Sequence, residues 1–416
     1  MYLRTVLRTS VATRAMFVLI PWLVSYSGGL VEWIDGGYWL SVTAQSNVLI
    51  AFIAPACAAS AAWEGTRVRR SRILEGTPVR SPVRIALSAV LPVYVLGAAS
   101  VVLALLLLLP GTPGAPDGNS VAILAVEAVV VAAHVAVGYV LGLRLPPFLA
   151  APVALVTSFL WMAFPAALPT PWLRQLNGAN LSECCALDQT LAPRALLAPS
   201  VVALGTVVAV LLWIWAQGRF QQLLLAPLAV GITLAVAVPI ATPLGRSPAQ
   251  ARPASELRCE GRAPAVCLWP EQQASADRIG RWAAHADARL RTMGVPTAAR
   301  ITPHSSDPAQ DEVLGFVASK ALSHQTPTCA FSGEWPGSDA QGALEAWLRL
   351  TAGLDPNSVQ VSNGLDDTHL AEQVRKLPLP AQKRWYARNE PTLHTCSKQP
   401  DLDPAHFASA DQPGAS

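Results

Sequence analysis

The sequence predicts an all-α transmembrane helical bundle of about seven spans, followed by a mainly α-helical extracytoplasmic domain with room for short strands in an α+β arrangement. Three observations predict it. The chain of 416 residues is 52% hydrophobic and only 14% charged, whereas soluble domains carry about 25% charged residues. Its mean hydropathy is +0.36. The charge is also unevenly placed, with 21 of the 57 acidic and basic side chains in the first 245 residues and 36 in the rest. Neither part has the basic excess of a nucleic-acid binder.

A bilayer core needs about 20 mostly apolar residues in a helix. Runs of this kind fall at 15–31, 41–62, 85–109, 120–142, 147–167, 197–217 and 222–243. The stretch Leu103 to Leu109 marks the third most clearly. The first is interrupted by Pro21, Gly28 and Gly29, and its small residues Ser25 and Ser27 also fit a secretory signal. A tight turn from Gln217 to Gln222 around Arg219 divides the last two. Pro21, Pro55, Pro92, Pro152, Pro227 and Pro239 lie inside the runs and each removes a backbone donor.

Arg and Lys in short loops resist translocation. With the N-terminus inside, Arg4, Arg8, Arg14, Arg67, Arg69, Arg70, Arg72, Arg80, Arg84, Arg144 and Arg219 share the cytoplasmic side, leaving Arg174 and Arg194 outside. Trp22, Trp33, Trp39, Trp63, Trp161 and Trp172 sit near span ends, as interfacial belts require. An odd number of spans then sends the C-terminal domain outside the cell membrane. The predicted organisation is a transmembrane domain over 1–245, a linker over 246–258, a globular domain over 259–399 and a disordered tail over 400–416.

Within the globular part, Glu271 to Arg291 has an amphipathic helical period ended by Gly294 and Pro296. Further helices are predicted near 309–323, 338–352, 366–376 and 380–394, with strands at Pro264 to Trp269 and Ala298 to Thr302. Trp282, Trp347, Trp385 and Tyr386 are the candidate core aromatics. Cys259, Cys267, Cys329 and Cys396 are candidate disulfide cysteines, consistent with an oxidising compartment. Four cysteines allow three pairings, and a metal site instead lacks a CxxC pair here. The loop from Thr170 to Pro193 carries Cys184 and Cys185. Bonds to other cysteines, two free thiols and a vicinal redox pair are considered for them, in that order.

Glu127 and His134 are candidate functional residues inside the fourth span, seven residues apart and therefore on nearly one helical face. Gly138 and Gly142 continue that face in the GxxxG spacing that lets helices approach closely. Ionisable groups at this depth either line a path for solute or protons or hydrogen-bond neighbouring helices. Gln45, Ser46 and Asn47 form a polar cluster at the start of the second span, fitting a re-entrant segment or an interfacial helix start. The basic stretch after it offers Glu64, Arg67, Arg69, Arg70 and Arg72 to a cytoplasmic partner or anionic lipid, or serves topology alone.

No GxxxxGK[ST], HExxH or GxSxG motif occurs. His285, His304, His324, His369, His394 and His406 are scattered, so neither a metal, a cofactor nor a catalytic residue is assigned. The segments APACAASAAWEGTRVRRS, PWLRQLNGANLSECCALDQTLAPRAL and VCLWPE resemble actinobacterial membrane proteins similar to the permease subunits of ABC-type exporters. That resemblance implies a permease-like chain working with a separate ATP-binding subunit at Glu64 to Arg84. The seventh span and the sizeable outer domain depart from the common exporter pattern. A membrane-tethered binding or sensory module is the alternative, and an extracytoplasmic enzyme the third reading. Oligomeric state stays open.

Overall fold

The computed structural model describes residues 10–73, 81–109, 112, 114–216, 219–261, 264–322, 327–331 and 335–408. Arg4, Arg8, Arg80, Gln217 and His324 lie outside these residues. The chain divides into two compact units, Met1–Arg252 and Pro253–Ser416.

In the first unit, seven helical runs among the described residues are long and apolar enough to cross a membrane. Helix α1 is Val11–Ser27 and continues as a 3-10 turn over Gly28–Trp33. Helix α2 (Trp39–Ser46), a 3-10 turn (Asn47–Leu49) and α3 (Ile50–Arg70) follow one another without a break. Next come α4 (Pro82–Leu108), α5 (Gly118–Arg144), α6 (Pro147–Ala163), α7 (Pro193–Trp215) and α8 (Arg219–Ala241). These coincide with the seven apolar runs of the sequence. The stretch Trp39–Arg70 has 32 residues, about 48 Å at 1.5 Å per residue, well beyond a hydrocarbon core of about 30 Å.

Small residues place α3 at the centre. A Cβ added to Gly138 of α5 would collide with the Ala58 carbonyl, one at Gly142 with that of Ala62, and one at Gly65 with that of Tyr139. The two backbones are therefore in direct contact. Lipid is as apolar as a leucine side chain, so close backbone packing, not water exclusion, holds such helices together. Thr66 Oγ1 adds a hydrogen bond to the Gly142 carbonyl, 3.3 Å. Ala58 and Ala62 also pack on Ala150 and Ala154 of α6, and Gly205 of α7 leaves room for the Thr233 side chain of α8.

The segment between α6 and α7 is structured. Two 3-10 turns, Pro171–Leu176 and Ala179–Glu183, lead to strand β1 (Gln189–Leu191). This strand pairs antiparallel with β2 (Ala249–Ala251), Gln189 opposite Ala251. Part of the expected linker over 246–258 thus belongs to the membrane unit, because ladder hydrogen bonds fix it there. Cys184 and Cys185 are bonded to each other, contrary to the preference for other partners. The reason is availability: the four later cysteines pair among themselves, and Cys57 is buried inside α3.

The second unit has a small sheet of order β3-β4-β5, from Arg258–Glu260, Ala265–Leu268 and Arg300–Ile301. Strands β3 and β4 are antiparallel, with Cys259 opposite its disulfide partner Cys267. The second disulfide joins Cys329 to Cys396 across 67 positions of sequence. Helices α9 (Ala276–Thr292), α10 (Gln310–Ser319), α11 (Ser338–Ala352), α12 (Pro356–Asn363), α13 (Leu365–Arg375) and α14 (Leu379–Asn389) complete the unit. Its core centres on Trp347, fully buried, whose ring lies 6.0 Å from Trp385 and 5.3 Å from Tyr386. Burial and the nearby Glu390 carboxylate raise the pKa of the Tyr386 phenol above its ordinary value. Trp282, by contrast, is only partly buried at the edge of this core.

Residues 401–408 do not form the expected disordered tail. The buried Asn389 donates to the Asp401 carbonyl, 2.7 Å, and accepts from the Asp401 amide, 2.7 Å. A last short helix, α15 (Ala405–Ala408), buries Phe407. Residues 409–416 lie outside the described residues.

Two outcomes follow from this packing. Gly138→Leu or Gly142→Leu should cost at least the roughly 1–3 kcal/mol of ordinary overpacking, read as a lower melting temperature in detergent. Gly29→Leu, with nothing within 4 Å of the added Cβ, should leave it unchanged. The second outcome concerns pH. The hydrogen bond and charge of Asp401, with Asp403, raise the pKa of His406. Its contribution is complete below the unfolded value of about 6.5 and is lost as pH rises through the folded value. Hydrogen exchange at Phe407 should therefore quicken, beyond the intrinsic pH effect, between mildly acidic and mildly alkaline buffer, and His406→Ala should abolish that excess.

Candidate functional site

Glu127 sits nine residues into α5, about 13 Å along the axis from its first residue. The helix starts at the Asp117 cap, whose Oδ1 accepts from the Ser120 amide, 2.8 Å. Only 2% of Glu127 is exposed. Its Oε1 accepts a hydrogen bond from Asn47 Nδ2, 3.0 Å, and Asn47 is completely buried in the 3-10 turn between α2 and α3. Asn47 Oδ1 and Glu127 Oε2 are buried and have no hydrogen-bond partner among the described residues. Such groups are costly unless something compensates them.

The turn over Ala179–Glu183 packs on α2 and on the Asn47–Leu49 turn, covering this pair. Gly178 precedes it with φ +82°, a left-handed conformation natural to glycine. A Cβ there would touch Val130 and Val126 of α5 and Pro199 of α7, so the loop reaches in between those helices. Three amide side chains hold it. Gln175 donates to the carbonyls of Gly245 and Arg246, both 3.2 Å; Asn177 to those of Trp161 and Met162, both 2.9 Å; and Asn180 to Arg246, 3.3 Å. Tyr38 Oη donates to the Gln189 carbonyl, 2.7 Å. Cys184 and Cys185 are buried in the same cap.

His134 is buried too, its Nδ1 2.5 Å from Ser158 Oγ of α6. Seven residues of helix put it about 10 Å along the axis from Glu127. No hydrogen bond joins the two among the described residues. Each is tied to a different helix, Glu127 to the second span and His134 to the fifth.

At the other end of α3 the predicted partner residues separate into two roles. Glu64 is buried, accepts from the Val11 amide at the start of α1, 3.1 Å, and pairs with Arg67 at 3.2 Å. A carboxylate at a helix N-terminus satisfies an orphan donor and the helix dipole, so Glu64 is structural and not presented to a partner. Arg67, Arg70 and Arg72 are exposed and Arg69 half-buried. Arg67 and Arg70 line a groove of about 350 Å3 with Trp63, Thr66, Pro147 and Phe148. In the second unit, a groove of about 460 Å3 runs between β3, β4 and α9, lined among others by Arg258, Glu260, Gln273, Asp277 and Arg281. Among the described residues no cluster of three His, Cys, Asp or Glu side chains forms a metal site.

Residues 266–396 match a domain of unknown function, DUF7224. The DUF7224 segment begins in β4 and ends on Cys396, so it contains the Cys329–Cys396 bridge and leaves Cys259 outside. No curated protein and no solved structure matches the chain.

Ser158 was not legible as a partner for His134, since one serine in an apolar span is common. The amide ladder Gln175, Asn177 and Asn180 did carry a signal, three amides within six residues next to a glycine. For the buried pair, Asn47→Leu should destabilise the bundle by about 1–3 kcal/mol, because it leaves a buried acceptor without its donor. Glu127→Gln should keep the melting temperature within a few degrees, because the amide oxygen can still accept from Asn47. Thermal unfolding of both variants in one detergent checks this.

Proposed function

We propose that the chain is the multi-pass membrane subunit of an ABC-type transport system and works with a separate ATP-binding subunit. The observation that carries this reading is the run Trp39–Arg70. One unbroken helical stretch joins the exposed Arg67 and Arg70 to Asn47 and, through the glycine contacts, to the α5 helix that bears Glu127, with exposed Arg72 in the turn just after it. A force applied at the arginine end reaches the buried pair without passing through a loop. Arg67, Arg69, Arg70 and Arg72 form the surface for the ATPase. Sidedness is part of the proposal: the N-terminus is cytoplasmic and the disulfide-bonded second unit extracytoplasmic, supported by the arginine asymmetry of the loops and by the disulfides themselves.

A second reading, a tethered binding module without transport, draws on the groove beside β3 and α9. The two are separated by one experiment. On the transport reading, mild detergent extraction recovers an ATPase with this chain, and Arg67→Glu with Arg70→Glu and Arg72→Glu reduces its recovery at least about tenfold, a loss of about 1.4 kcal/mol. Extraction without any ATPase, while the second unit still retains a soluble ligand, favours the tethered module.

A further inference from the structure

Helices α4, α5 and α7 enclose a groove of about 430 Å3 lined by Leu87, Leu91, Tyr94, Val135, Tyr139 and Val207 together with neighbouring apolar side chains. Nearly all of its wall is apolar, and it lies wholly within the spanning helices. Tyr139 is 2% exposed, lines the groove, and its hydroxyl has no hydrogen-bond partner among the described residues. An apolar cleft of this size with one placed polar group has the composition of a ligand site. The unsatisfied phenol calls for an acceptor, which lipid hydrocarbon alone does not supply.

Charge lies at one end of the groove. Arg84, Leu87, Ser88 and Leu91 share one face of α4 by their spacing, and Arg84 is exposed at the helix start. Arg144 ends α5, five residues beyond the groove-lining Tyr139, its guanidinium 4.4 Å over the Trp213 ring of α7 and donating to Gln222, 3.2 Å. Neither partner of Arg144 carries charge. Five residues separate Tyr139 from Arg144, about 7.5 Å along the axis. Along α5 the order is therefore cation, hydroxyl-bearing residue, apolar cleft.

We propose that this groove binds an anionic phospholipid: phosphate at Arg84 and Arg144, an ester carbonyl accepting from Tyr139 Oη, and one acyl chain between α4 and α7. The proposal rests on the spans lying in a bilayer and is independent of any ATPase. Exposed Leu91 forms the lipid-side wall, where a larger side chain closes the cleft without disturbing the buried core.

The test uses the full chain in phosphatidylcholine vesicles containing a trace of phosphatidylglycerol with a diazirine in its acyl chain. After photolysis, labelled residues are mapped by mass spectrometry. Label is expected at Leu91, Tyr94, Val135 and Val207, displaced by unlabelled phosphatidylglycerol but not by phosphatidylcholine. Leu91→Trp should suppress it, and Tyr139→Phe should lower it about fivefold, the loss of one hydrogen bond. Arg84→Gln with Arg144→Gln should abolish the headgroup preference while the protein elutes unchanged in size. Label spread evenly over lipid-facing positions such as Leu106, Leu223 and Val236, no headgroup preference in the parent protein, or no response to Leu91→Trp overturns the proposal.

Discussion

The backbone contact between α3 and α5 is the constraint on which the membrane unit depends. Gly65, Gly138 and Gly142 leave no room for a Cβ, so the two helices sit at a separation that larger residues forbid. That separation sets the register of everything else on the two helices. It brings Asn47 to Glu127 at 3.0 Å and aligns Thr66 with the Gly142 carbonyl. With the same alanine face, α3 also receives α6, which supplies Ser158 to His134. The polar groups of the bundle are thus positioned by packing of the smallest side chains, as membrane interiors require.

Much of this was legible in the sequence, for identifiable reasons. Spans of about 20 apolar residues are a strong signal, and all seven runs became helices. The Gly138–Gly142 spacing announced a close helix approach, though not its partner: Gly65, Ala58 and Ala62 are unremarkable in an alanine-rich segment. Asn47 was visible only as part of a polar cluster, because the contact that gives it meaning spans 80 positions of sequence. In the second unit, helical periodicity located five helices, while α12 was missed even though Asp355 and Pro356 form a cap and first turn. Periodicity is weak in a helix of eight residues, and the cap was the better guide. The tail reading failed because composition cannot reveal that one buried amide, Asn389, holds both polar groups of the Asp401 backbone.

The proposed function uses the two ends of the α3 column differently. At one end exposed arginines and aromatic residues offer a surface for a partner. At the other a polar pair lies under a loop that is closed by amide side chains, a two-stranded ladder and a bonded cysteine pair. Within that cap, Gly178 and Asn177 insert between helices, not over them, which separates this segment from an ordinary connection. The second unit has its own core around Trp347 and Trp385 and its own bridges.

The most direct test of the account is sidedness of the two units in intact cells, read with a membrane-impermeant maleimide. Arg72→Cys, exposed in the turn just after α3, is predicted to react only after the membrane is opened. Val361→Cys, 90% exposed in the second unit, is predicted to react in intact cells. Labelling of both positions under the same condition would contradict seven spans and an outward-facing second unit together.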